Sequence, residues 1–241
     1  SRVDPADVLL HAAAHGLDLV LHTEHEHIVD RSTLPRETGL DAWVDSIGGE
    51  EVTATVPEHL TMFPVSPDGS GRGGPVEWYG LDLDELFALM RDRSGGGVNL
   101  LNHPSYLADI GWDRLLAEPA LDDPTLLGLA PDAALWSWDL DGIEVMNGHR
   151  SPFSDGNGRW LDWQSMLNAG HPLVAVGCSD DHHGNSVGFP RTYVPATTDV
   201  PRDVETDEVI AGFLEGRAVV SAGAFARVTV DDTAGIGDLW T

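Results

Sequence analysis

Eleven histidines stand in a chain of 241 residues, and many of them follow short apolar runs. Residues 17–21 lead into His22-Thr23-Glu24-His25-Glu26-His27, and 98–101 into Asn102-His103-Pro104. Residues 142–146 lead into Asn147-Gly148-His149, and 173–176 into Gly177-Cys178-Ser179-Asp180-Asp181-His182-His183. Glu51 and His59 border two further runs, 52–56 and 60–65. Neutral imidazoles and carboxylates are the donors that bind zinc, manganese and iron. A carboxylate can join two ions, and a water on such an ion ionises near neutral pH. His25, Glu51, His59, His103, His149, Asp180 and His182 therefore point to a hydrolytic centre with two or three divalent ions (Zn, Mn or Fe). Any one of these histidines, taken alone, is more simply a strand cap or a surface residue. The set at equivalent positions carries the reading.

Other residues weigh less. His11 and His15 fall on a helix and read as structural or exposed, and His171 before Pro172 reads as exposed. His183 is a neighbour of the ligand set. His25 and His27 lie two apart and share one strand face. Cys178, the single cysteine, reads as a small buried residue rather than a thiolate ligand. A nucleophilic serine elbow is absent. The glycines at 69, 71, 73 and 74 have the wrong spacing and flanks for a dinucleotide site.

The elements that must place these groups alternate between strand and helix. Asp4-Pro5 caps a helix over 6–15 that Gly16 stops. Strands are expected at 17–21, 52–56, 60–65, 98–101, 142–146 and 173–176, with late strands at 219–220 and 228–230. Helices are expected at 41–47, 82–93, 159–169 and 206–214. The glycine-rich stretch 67–75 reads as a flexible connection, and about 111–138 as a peripheral irregular insertion. Together these describe a single α/β domain over 1–241 with mainly parallel strands. Polar groups just past strand C-termini occupy the face on which β/α barrels assemble their sites.

Charge excludes some partners. There are 13 basic residues, all arginine, against 40 acidic ones, a net charge of −27. A nucleic-acid backbone requires clustered basic side chains, and an anionic membrane surface does too. No apolar run approaches the roughly 20 residues of a membrane helix. One cysteine excludes an internal disulfide and a cysteine-based zinc site. The location, cytoplasmic or secreted, and the oligomeric state are left open.

In order along the chain, several segments resemble the PHP (polymerase and histidinol phosphatase) superfamily, most closely its carbaryl-hydrolase-like branch. They are Gly16-Leu17-Asp18 through Thr23-Glu24-His25, Gly49-Glu50-Glu51-Val52-Thr53, and His59-Leu60-Thr61-Met62-Phe63-Pro64. Asn102-His103-Pro104, Asp141-Gly142-Ile143-Glu144-Val145-Met146-Asn147-Gly148, Ser179-Asp180-Asp181-His182 and Gly188-Phe189-Pro190-Arg191-Thr192-Tyr193-Val194 continue the series. The resemblance implies a distorted (β/α)7 TIM-like barrel with ions at the strand C-termini. It implies Glu51 as bridging carboxylate, Asp180 at a first ion, His59 and His103 at a second, and His25 and His182 at a third. His149 or His182 would move a proton to the leaving group, and Arg191 would meet an anionic oxygen of the substrate. The family's opening strand with its His-x-His pair does not precede the first helix here, and Glu24 replaces the family's aspartate. The expected activity is hydrolysis of a small-molecule phosphoester, with a hydroxide between the ions as nucleophile. A carbamate or carboxyl ester hydrolase, or a domain that binds metal or ligand without turnover, are the alternatives.

Overall fold

The computed structural model describes residues 3–54, 59–104, 137–148, 158–168 and 170–238. The expected insertion lies almost entirely outside these residues, and so does His149. The elements are α1 (Pro5–Ala14), β1 (Leu19–His22), α2 (Leu34–Glu37), β2 (Asp45–Gly48), β3 (Glu50–Val52) and β4 (Leu60–Phe63). They continue as α3 (Leu83–Arg93), β5 (Val98–Leu101), β6 (Gly142–Asn147), α4 (Gly158–Asn168), β7 (Val174–Cys178), β8 (Arg191–Tyr193), α5 (Thr206–Leu214) and β9 (Val219–Ser221).

Local chemistry accounts for the helix ends. The Asp4 carboxylate accepts from Ala6 N, Pro5 takes the first turn, and Gly16 follows at φ +67°. In α3, Asp82 and Glu85 form a reciprocal capping box, and Arg91 and Arg93 occupy the last turn. Leu83, Leu86, Phe87 and Met90 form its buried stripe.

Five strands form one sheet in the order β3-β4-β5-β6-β7. β5, β6 and β7 are parallel, whereas β4 runs antiparallel to both β3 and β5. The central sheet is therefore mixed, which corrects the expectation of mainly parallel strands. β1 and β2 form a separate parallel pair that a single bridge, His25 to Glu51, joins to β3. β8 and β9 pair antiparallel, and Thr192 Oγ1 ties β8 to Gly177 of β7. Among the described residues the hydrogen-bonded strands fall into three sheets, β1-β2, β3-β4-β5-β6-β7 and β8-β9.

Three further expectations change. The segment expected as a helix at 41–47 instead enters β2, because Asp45–Gly48 pairs in register with β1. A seven-residue helix is marginal by itself, whereas ladder bonds and the burial of Ile47 stabilise the strand. The segment 228–230 makes only an isolated bridge from Val230 to Ala234. The glycine-rich stretch is pinned: Arg93 donates to carbonyls of Ser66, Gly73 and Gly74, and Ile28 N donates to Arg72 O.

The sheet is covered on both faces. Val98 and Leu100 of β5 and Val174 and Val176 of β7 pack with Phe63, Val209 and Phe213. Leu101, Ile143 and Val145 face the other way, onto Phe87 and Met90 of α3 and Met166 of α4. Alternate residues of β4, β5 and β7 thus enter different cores, as the two-residue period requires. No helix among the described residues is long and apolar enough to cross a membrane.

Candidate metal centre

Strand direction explains how His59 joins the others. It precedes β4 rather than following it, but β4 is antiparallel to its neighbours. The start of β4 therefore lies at the same rim as the ends of β3 and β5. Leu60 pairs with both Val52 and Leu101, and Asn102 N donates to His59 O at 3.0 Å.

Glu51 sits in the middle of β3, 6% exposed, between Glu50 and Val52 that point to the opposite face. Its Oε1 meets His59 Nδ1 at 3.0 Å, Asn102 Nδ2 at 3.2 Å and His103 Nε2 at 3.4 Å. Its Oε2 faces His25 Nδ1 at 3.4 Å. Burial alone would raise this carboxyl. Hydrogen bonds from His103 and His59, with the charge of the His25 and His59 imidazoles, outweigh burial and hold it well below the ordinary carboxylate range. Donor atoms of His25, Glu51 and His59 all lie within 4.8 Å of one another.

His25 extends the group. Its Nε2 lies 3.2 Å from His182 Nε2, across 157 positions of sequence. His182 Nδ1 faces the Asp180 carbonyl at 3.0 Å and Asp180 Oδ1 at 3.4 Å. Asp180 Oδ2 accepts from Asn147 Nδ2 at 3.1 Å. Asp180 and His103 have φ of +45° and +25°. Such left-handed backbone at non-glycine residues persists only where the surroundings hold it. For His103 the restraint is visible: its N–H donates to Glu144 Oε2 at 2.6 Å.

Glu144 is the member that the sequence reading left inside a strand. It is 2% exposed on β6, and burial raises its pKa although His103 and other donors oppose this. The Cys178 thiol donates to Glu144 Oε1 at 3.1 Å. Cys178 is exposed rather than the buried residue expected, yet desolvation of its sulfur, and then the Glu144 carboxylate, push the thiol well above its usual pKa, so it remains protonated. An acid within an otherwise apolar strand was the available signal for Glu144. Asn102, next to His103, and Asn147, two residues before His149, had the same kind of signal.

Six of the expected positions thus meet around one rim: His25, Glu51, His59, His103, Asp180 and His182. Arg191 is placed differently. Its guanidinium donates to the carbonyls of Gly188 at 2.8 Å, Gly16 at 3.0 Å and His15 at 2.8 Å. That ties α1 to β8. Glu24 points to Arg31, whose Nε donates to it at 3.0 Å. A cavity of about 350 Å³ opens beside the rim, with Leu19, Leu21, Leu100 and Val176 among its apolar walls.

The donor set fits divalent ions. The imidazole nitrogens and carboxylates are those that zinc and manganese take. Two nitrogens at about 2.1 Å from one ion, at cis angles, lie roughly 3.0–3.4 Å apart. The His25–His182 separation falls in that interval.

No family model matches the chain, and no curated protein matches it. Solved structures do. One is a two-domain protein from Bacteroides vulgatus containing a predicted PHP-like metal-dependent phosphoesterase, 20% identical, with a TM-score of 0.52. Another is PsfC from Pseudomonas syringae, 19% identical, with a TM-score of 0.54. Both share the fold of this chain. The match covers 89% of this chain but only 59% of the Bacteroides protein, and 90% against 82% for PsfC. At these identities the likeness is one of fold.

Proposed function

We propose that the chain is a metal-dependent hydrolase of the PHP type, acting on a small-molecule phosphoester. The observation that carries this reading is Glu51, one buried carboxylate approached by three imidazoles at 3.0–3.4 Å. Glu51, His59 and His103 would hold one ion, Glu51 and Asp180 a second, and His25 and His182 a third. Bound ions would supply an activated water and positive charge against the oxygens of the reacting ester. The residues of the chain do the rest. Asn147 orients Asp180, Glu144 holds the His103 backbone, and Asn102 shares the charge on Glu51. Proton transfer to the leaving oxygen is assigned to His149 while His182 holds an ion, and to His182 only where that third ion is absent. Arg191 keeps the family role only through N–H donors not already on the three carbonyls.

A carboxyl ester or carbamate substrate is favoured by one observation. Arg191 is the only arginine lining the cavity among the described residues, and several walls are aliphatic. The test is hydrolysis of nitrophenyl phosphate, bis(nitrophenyl) phosphate, nitrophenyl acetate and a nitrophenyl carbamate. Protein stripped of metal and then loaded with Mn or Zn is used. Ion-dependent release from a phosphate ester supports the proposal, and release from only the acyl esters replaces it with the second reading. No release with any of the four, together with fewer than two bound ions, identifies a domain without turnover.

A further inference from the structure

Thr53 lies just past β3, and its hydroxyl is 2.8 Å from His25 Nδ1. The same hydroxyl donates to the Glu51 carbonyl at 3.3 Å. With its one proton so directed, the Thr53 oxygen is left to accept from His25 Nδ1–H. The carboxylate Oε2 of Glu51, 3.4 Å from the same nitrogen, also calls for a donor there. The His25 lone pair is then on Nε2. His182 is fixed in the same sense, because its Nδ1 faces a backbone carbonyl that can only accept. Two imidazole lone pairs therefore converge at 3.2 Å, an arrangement that a shared cation relieves.

Thr53 is itself held. Its N–H donates to Glu26 Oε1 at 2.6 Å, and Trp78 Nε1 donates to that oxygen at 3.2 Å. Glu26 has φ of +53°, and its N–H donates to the Glu51 carbonyl at 3.1 Å. Trp78 follows the pinned glycine-rich stretch, so three separate segments meet at the residue that touches His25.

The geometry points to Thr53, braced by Glu26 and Trp78, as the positioning residue that keeps His25 protonated on Nδ1 and presents Nε2 to a divalent cation shared with His182. This rests on the metal-centre reading above. Partners of this kind fix the tautomer and ring orientation of a ligating histidine, and their loss lowers metal affinity about 10–100-fold.

Two readouts test the role. In metal-free protein at pH 8, long-range proton–nitrogen NMR reads the tautomer of each imidazole, with His25 assigned through His25→Asn. Wild type should show His25 as Nδ1–H alone. Thr53→Val should show mixed tautomers, and Thr53→Ser, which keeps the hydroxyl, should restore wild type. Calorimetric titration with zinc should show one bound ion held about 10–100-fold more weakly in Thr53→Val and near wild type in Thr53→Ser. If Thr53→Val does not fold, Glu26→Ala should move both readouts the same way by a smaller factor. A Thr53→Val protein with unchanged tautomer and affinity overturns the role of Thr53 while leaving the metal centre standing. A wild type that takes up neither zinc nor manganese overturns the metal-centre reading and this role with it.

Discussion

Replacing Glu51 by glutamine tests the centre directly. In the wild type, Oε1 serves His59, Asn102 and His103, and Oε2 serves His25. A glutamine of the same shape must turn an N–H towards one of these donor groups, and it loses the negative charge. A hydrogen bond to a charged group is worth about 1.5–3 kcal/mol. Loss of one such bond should lower Tm by roughly 3–12 °C, at about 2–4 °C per kcal/mol for a chain of this size. Ions add a second effect. One site at 100 times its Kd contributes about 2.7 kcal/mol to stability. That corresponds to a rise in Tm of roughly 5–11 °C. Scanning calorimetry on chelator-treated wild type and Glu51→Gln, each titrated with MnCl2 or ZnCl2, separates the two effects. The variant should melt lower without ions and gain little from them. An ion-induced rise as large in Glu51→Gln as in wild type would refute the placing of the centre on Glu51.

Two buried groups and one glycine give further outcomes. Burial raises the Glu50 carboxyl from 4.5 to about 7, so the folded chain keeps a proton that the unfolded chain releases. Stability is full near pH 4 and declines by up to about 3 kcal/mol as pH rises to 7, so Glu50→Gln should raise the urea midpoint at pH 8 but not at pH 4, and equal midpoints at pH 8 contradict this. Burial lowers His22 from 6.5 to about 4, and its Nε2 has no hydrogen-bond partner, so stability is full above pH 6.5 and is lost as pH falls towards 4. His22→Leu should flatten that acid slope in urea titrations by up to about 3 kcal/mol, and an unchanged slope counts against the assignment. A Cβ on Gly97 would lie 2.2 Å from the Phe63 carbonyl oxygen, so Gly97→Ala should lose about 1–3 kcal/mol, and an unchanged calorimetric Tm would contradict the close approach.

Much of the rim was legible because polar residues that follow apolar runs must emerge where strands end. His25, His103, Asp180 and His182 follow that rule. His59 obeys it only because β4 is reversed, and strand direction leaves no mark in residue type. The stretch 41–47 misled for a related reason: short apolar spacing suits a helix or a strand, and pairing with β1 decided it. Glu144 was hidden because an acid in a strand core has value only once the His103 N–H is seen against it. Arg191 looked free for a substrate oxygen, and only the folded chain brings the carbonyls of His15 and Gly16 to it.

By itself the sequence determined the donor chemistry and most of the strands and helices that bear it. These follow from side-chain type and local periodicity, which need no distant contact. The tertiary structure alone decided which donors meet. It placed three imidazoles on Glu51, brought His25 to His182, and put Thr53 behind His25. Each of those contacts depends on sheet register and strand direction, which arise from pairing between segments far apart in the chain.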